Sequence, residues 1–316
     1  MLQLILGRVR TFREGTLILT ILVVAVIMSF LSPHFLTVNN IRTTLLSFAT
    51  NGIVVVGITI VMILGGIDLS VGSTMALSMV VSGRLFLMGM PIWFAIIFGL
   101  LAAAMVGVTI GFFVTRVGLS PFITTLAMMG IARGLCFVIT QGTPLSLFRM
   151  PAEFKNIGLG SVAGIPYGII IFTIIVVTAD FLMRRSRVAR LVYYTGSNET
   201  AAIYSGVNTK RVKHLVYIIC STMAGLAGIL YMSRFSSATP GFGAGLELTA
   251  ISAAVIGGAS LNGGEGTVFG AVLGIALLAV ITTSMILLNV SVYWQDLIRG
   301  SILLMAVSLD YIRHRH

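Results

Sequence analysis

The sequence predicts an all-α, polytopic membrane protein of about ten spanning helices, organised as one transmembrane domain over residues 1–316. Three observations carry this prediction. Hydrophobic residues make up 57% of the chain, charged residues 9%, and the mean hydropathy is +1.07. A soluble domain carries about 25% charged residues, so a watery surface cannot be assembled from this composition. Apolar runs long enough to cross a bilayer, which takes ~20 residues each, recur along the chain. Basic residues flank those runs, which is how membrane topology is written.

The runs fall at 16–32, 44–64, 69–89, 91–114, 122–140, 164–183, 214–233, 247–258, 266–288 and 292–311. The first follows "RVRTFREG" but is longer than a signal-peptide core and lacks a small-residue cleavage site, so it reads as a retained anchor. The eighth is short and runs into "GGASLNGGEG" at 257–266. A half-helix or re-entrant segment fits there, which a membrane tolerates only where protein or water shelters the backbone.

Alternate loops carry unequal positive charge. One side holds Arg8, Arg10, Arg13, Arg116, the cluster in 184–213, Arg313 and Arg315; the other holds Arg42, Arg84, Arg149, Lys155 and Arg234. The first set is the larger, which places both termini in the cytoplasm. Distributed this way, the net charge of +11 describes topology and not nucleic-acid binding. Cys136 and Cys220 lie inside apolar runs and read as small core residues. On the outer side, 141–163 and 234–245 are long for simple connections, and such loops are often functional.

The inner stretch 184–213, "RRSRVARLVYYTGSNETAAIYSGVNTKRVK", is too polar to span. Its cations alone would fit a loop drawn to anionic lipid. Between two basic blocks, however, it encodes a short helix. Asn198 suits an N-cap, Glu199 sits where the helix dipole favours an acid, and Gly206 stands where a helix stops. So short a helix would not hold in isolation, which implies that Thr200, Ala201, Ala202, Ile203, Tyr204 and Ser205 are stabilised by docking. No lysine lies in a G-K-[ST] context, so the chain has no P-loop. Any ATP that drives it is bound by another polypeptide.

Asp68, in "GGIDLSVGS" (65–73), reads as a turn acid that accepts backbone N–H bonds and caps the next helix, with Ser70 and Ser73 close by. A direct transport role is the competing reading. Arg133 lies mid-span, where a cation must face protein or water; lining a solute path and pairing with a distant acid are both open. Asp296 and Arg299, spaced i,i+3, suggest a pair on one helix face. Glu265 reads as turn chemistry. Asn51, Thr59 and Gln141 are candidate polar path residues. The histidines, 34, 214, 314 and 316, lie at span edges or in the tail, and no arrangement for catalysis or metal binding is present.

Several stretches together resemble one family. "GGIDLSVGS" (65–73), "GLSPFITTLAMMGIARGL" (118–135), "GSNETAAIYSGVNTKRVK" (196–213), "GLELTAISAAVIGGASLNGGEGTVFGAVLG" (245–274) and "YWQDLIRGSILLMAV" (293–307) are similar to the permease subunit of ribose-, xylose- and galactose-type ABC importers. The resemblance implies a permease of the bacterial plasma membrane, paired with a second copy or a close relative. It implies two ATPase domains on the cytoplasmic face, holding ATP and magnesium, with no cofactor on this chain. Residues 198–206 would be the segment that couples to the ATPase. A periplasmic binding protein would deliver a small neutral sugar, meeting outer cations such as Arg149, Lys155 and Arg234. The alternative is a proton-coupled transporter or channel using Asp68 and Arg133, which leaves the capped inner helix without a role.

Overall fold

The computed structural model describes residues 2–313; His314, Arg315 and His316, considered above, lie outside them. The chain is almost entirely helical. In order it runs α1 (Leu2–Leu31), α2 (Val38–Ile63), α3 (Val71–Leu87), α4 (Ile92–Phe112) with a π-helical turn (Phe113–Val117), and α5 (Pro121–Thr140). After the strand β1 (Leu145–Ser146) come α6 (Ala152–Leu159), the hairpin β2 (Ser161–Val162) and β3 (Ile165–Pro166), and α7 (Tyr167–Arg185). Then follow α8 (Arg187–Ser197), α9 (Glu199–Tyr204), α10 (Thr209–Phe235), β4 (Ser237–Ala238), α11 (Leu246–Ile256), α12 (Val268–Leu287) and α13 (Val292–Arg313).

Among the described residues, α1, α2, α4, α5, α7, α10 and α12 are long and apolar enough to cross a membrane. α3 and α11 are apolar but shorter. α11 has only eleven residues, as short as the eighth apolar run was expected to be. At ~1.5 Å per residue it spans about half of a bilayer core.

α2 is the central post. From Gly52 to Ile63 every residue is buried, and an all-round apolar helix belongs in an interior. α10, α11, α12 and α7 all pack against it. α10 in turn lies against α3 and α4. Close approach is made possible by glycine: a Cβ at Gly107 of α4 would sit 2.6 Å from the Tyr217 carbonyl on α10. Small residues serve membrane helices in this way, because packing, not water, draws them together.

One local expectation needs revision. The inner stretch carries a second helix, α8, that was read as basic loop; Ser186 caps it by accepting the Ala189 N–H at 3.1 Å. Its inward residues, Ala189, Val192 and Thr195, follow helical spacing. The two long loops, 141–163 and 234–245, are joined. β1 pairs antiparallel with β4, Leu145 opposite Ala238, so the loops bind each other. Asp68 is fully buried.

Candidate functional site

At the end of α2 away from α9, a cavity of about 420 Å³ opens between α2, α11, α12 and α13. Its wall is rich in hydroxyls and amides from α2 and α12, including Thr43, Ser47, Asn51 and Thr282. Phe48 and Phe242 add aromatic faces, and Arg299 adds a cation. Thr44 and Thr283 hydrogen-bond across it at 3.0 Å, tying α2 to α12. No acid lines the cavity. Such a surface can exchange hydrogen bonds with a neutral hydroxylated solute while offering no strong counter-charge to hold it.

Asn51 is thus placed where a path residue was sought. Thr59 is not: it is fully buried and donates to the Val55 carbonyl of its own helix at 2.6 Å. Gln141 closes α5 in a left-handed conformation and is exposed.

Among the described residues Arg133 makes no ion pair within 4 Å, though Glu247 is near enough to act on its charge. Its guanidinium donates to the carbonyls of Pro240 and Phe242 at 2.6 and 2.7 Å. Beside the two expected readings stands a third role, holding the loop that leads into α11. Buried carbonyls without helical partners need donors, and a guanidinium supplies two in a fixed fork.

Asp68 likewise lies outside the cavity. One carboxylate oxygen accepts the Ser70 N–H at 2.8 Å and the Ser70 hydroxyl at 2.6 Å. Asp68 thus bonds within the turn before α3, while the capping position belongs to Ser70. Ser70 is the residue at the start of α3, and its carbonyl accepts the Ser73 hydroxyl and the Thr74 N–H. Cys220 and Tyr217 of α10 flank the carboxylate.

The opposite end of α2 carries a joint made of backbone. Gly264 donates to the Ile63 carbonyl at 2.8 Å, joining the "GGASLNGGEG" turn to the foot of α2. Gly196, two residues before the Asn198 cap, sits against the same carbonyl so tightly that a Cβ would overlap it. At Gly263, which has φ +82°, a Cβ would lie 2.7 Å from both Gly65 Cα and the Gly196 carbonyl oxygen. The two glycine turns thus clasp the segment leading into α9. Asp310 of α13 accepts the Leu261 N–H at 3.2 Å, and Tyr193 of α8 donates to the Gly266 carbonyl at 3.0 Å. Glu265 contributes its carbonyl, accepting the Ser260 N–H at 3.3 Å.

α9 itself forms as its caps dictate. Asn198 Oδ1 accepts the Ala201 N–H at 2.9 Å, and Gly206, at φ +81°, receives the turn. Glu199 pairs with Lys213 of α10 at 2.6 Å. Ala202 is buried against its own chain, whereas Ile203 is 54% and Tyr204 87% exposed. Both large side chains point away from the chain's own core.

Comparison with known proteins decides the family. The model described as "Branched-chain amino acid transport system / permease component" matches residues 40–307. The chain is 37% identical to the ribose import permease protein RbsC of Escherichia coli K12 over 299 residues, 94% of this chain and 93% of that one. The chain belongs to this permease family. It is also 36% identical to the D-allose transport system permease protein AlsC of E. coli K12, covering 94% and 91%. With the L-arabinose ABC transporter permease protein AraH of Azospirillum brasilense it shares 36% identity, covering 95% and 88%. No solved structure matches it.

The protein is therefore a multi-pass inner-membrane permease, a transport component and not an enzyme. The three cations expected on the outer side differ in availability. Arg149 is exposed. Lys155 donates to the Phe148 carbonyl at 2.5 Å within its own loop. Arg234 stands 4.8 Å over the Phe235 ring, with Ser47 at 3.5 Å. Asp296 and Arg299 pair as their spacing suggests, at 3.3 Å. The residues that reading the sequence missed are Asp310 and Tyr193. Both act across more than 40 positions, and no local pattern announces such a partner.

Proposed function

We propose that this permease carries a small neutral sugar inward, powered by ATP and magnesium held on separate ATPase subunits. A soluble binding protein delivers the solute to the outer face, where Arg149 is the freest cation to meet it. Two permease chains, identical or closely related, face each other and close the open flank of the cavity. Ten segments cross the bilayer, with α3 and α11 as the short ones, and both termini lie in the cytoplasm. The named sugars of the relatives, ribose, allose and arabinose, support the substrate class.

One observation carries the coupling role. The exposed Ile203 and Tyr204 sit on a capped helix whose approach is locked at Gly196 to the foot of α2. α2 also lines the hydroxyl-rich cavity at its other end. A force applied to α9 thus reaches the solute path through a single rigid element.

The test is uptake in proteoliposomes containing the permease, its ATPase and the binding protein loaded with radiolabelled pentose or hexose. Uptake should require ATP hydrolysis and persist when an ionophore collapses the proton gradient. Uptake by the permease alone, driven by a pH gradient, would overturn the reading.

A further inference from the structure

Below the crossing of α4 and α10 lies a cleft that the transport reading does not use. The two helices meet at Gly111, where a Cβ would sit 2.6 Å from His214 Nδ1. Beyond that contact they part. α4 ends in its π-helical turn, a widened form that recurs at functional sites. Gly118, at φ +83°, then terminates it. The resulting cleft measures about 850 Å³.

Arg116 enters it from the π-helical turn, and Lys210, Arg211 and His214 enter from the first turns of α10. No acid lines it. Among the described residues no ion pair involves Arg116, Lys210 or Arg211, whereas Lys213 nearby is paired with Glu199. Three unneutralised cations converging from two elements repel one another and favour an anion between them. The rest of the wall is mixed: Thr115 and Asn208 are polar, Phe112 and Leu215 apolar. Phe112 and Leu215, 49% and 51% exposed, stand on α4 and α10 on the membrane side of the cations.

We infer that this cleft binds the phosphate of an anionic phospholipid of the inner leaflet, with an acyl chain lying along Phe112 and Leu215. Basic pockets between spanning helices on the cytoplasmic side take such head groups. A free phosphate would satisfy the cations but leave the exposed Phe112 and Leu215 without a partner. The inference rests on the orientation proposed above, which puts this end of α10 in the cytoplasm. Its test does not depend on transport.

The full-length permease, purified in detergent, is offered equal amounts of phosphatidylglycerol and phosphatidylcholine, and retained lipid is read by native mass spectrometry. The wild type should retain phosphatidylglycerol preferentially. Arg116→Gln/Lys210→Gln/Arg211→Gln should lower that retention roughly five-fold or more, the worth of one interfacial cation or above. Arg185→Gln/Arg187→Gln/Arg190→Gln removes the same charge from α7 and α8 and should retain the lipid as the wild type does. Both variants should melt as the wild type in lipid-free detergent. Equal retention of the two lipids, or equal loss in both triple variants, would overturn the inference. So would a cleft variant that keeps its lipid but loses the ATPase on co-purification, since the cleft would then be a protein contact.

Discussion

Gly264 donates its backbone N–H to the Ile63 carbonyl at 2.8 Å, so the turn before α12 and the foot of α2 share one hydrogen bond. Gly196 is wedged against the same carbonyl from the α8 side. Gly196→Ala would force a methyl into backbone that has no room to yield. The expected cost is ~1–3 kcal/mol, toward the upper end because the obstacle is main chain. Thermal melting of the purified permease should fall, while Ser197→Ala next to it should melt as the wild type. A Gly196→Ala protein with an unchanged melting point and full uptake would show that the wedge is not tight.

Tyr204 and Ala202 lie on opposite faces of α9, and they should separate docking from folding. Tyr204→Ala removes an exposed ring and should change permease stability by no more than about 0.5 kcal/mol. Co-purification with the ATPase should nevertheless drop, and ATP hydrolysis should lose its stimulation by loaded binding protein. Ala202→Arg faces the permease itself and should reduce membrane assembly. If Tyr204→Ala binds the ATPase and transports normally, α9 has no docking role.

Asp68 is expected to act through its shape as an acceptor and not through its charge. Asp68→Asn keeps the oxygen that Ser70 needs and should assemble and transport at close to the wild-type level. Asp68→Ala leaves the Ser70 N–H and hydroxyl without that acceptor, a loss of about 1–3 kcal/mol for buried groups. Its yield in the membrane should fall. Normal assembly of Asp68→Asn with abolished uptake would show that the charge itself is used.

Arg133 holds the loop ahead of α11 by two carbonyls, so its loss should be felt there. Arg133→Met should cost about 1–3 kcal/mol and speed hydrogen exchange across residues 239–245, with α5 itself unaffected. Because Phe242 is also part of the cavity wall, the apparent affinity for solute should weaken. Unchanged exchange in that loop would remove the assigned role.

These outcomes divide along the line between local and distant causes. The spans, the α9 caps at Asn198 and Gly206, the Asp296–Arg299 pair and the turn at Asp68 were legible because each is decided within a few residues. Hydropathy, capping and i,i+3 spacing are short-range rules. The partners of Arg133 were not legible, since Pro240 lies 107 positions away and is reached through a carbonyl that any residue could supply. The glycine clasp was half visible. Both turns stood out in the sequence, but that they grip Gly196 between them depends on main-chain contact, which carries no side-chain signature. Thr59 was misplaced because a hydroxyl in an apolar helix can satisfy itself on the preceding turn.

A clasp built from main chain alone has a consequence for how this transporter can diversify. In the proposed reading, cargo is met by side chains such as Asn51, Phe48 and Thr282, more than three turns from the clasp along the same helices. The grip at Gly65, Gly196 and Gly263 reads no side chain at all. The lining can therefore be rewritten for another cargo without retuning the drive. Conversely, the drive offers almost no position at which a substitution could be neutral. The machine is free to vary at one end of α2 and rigidly specified at the other.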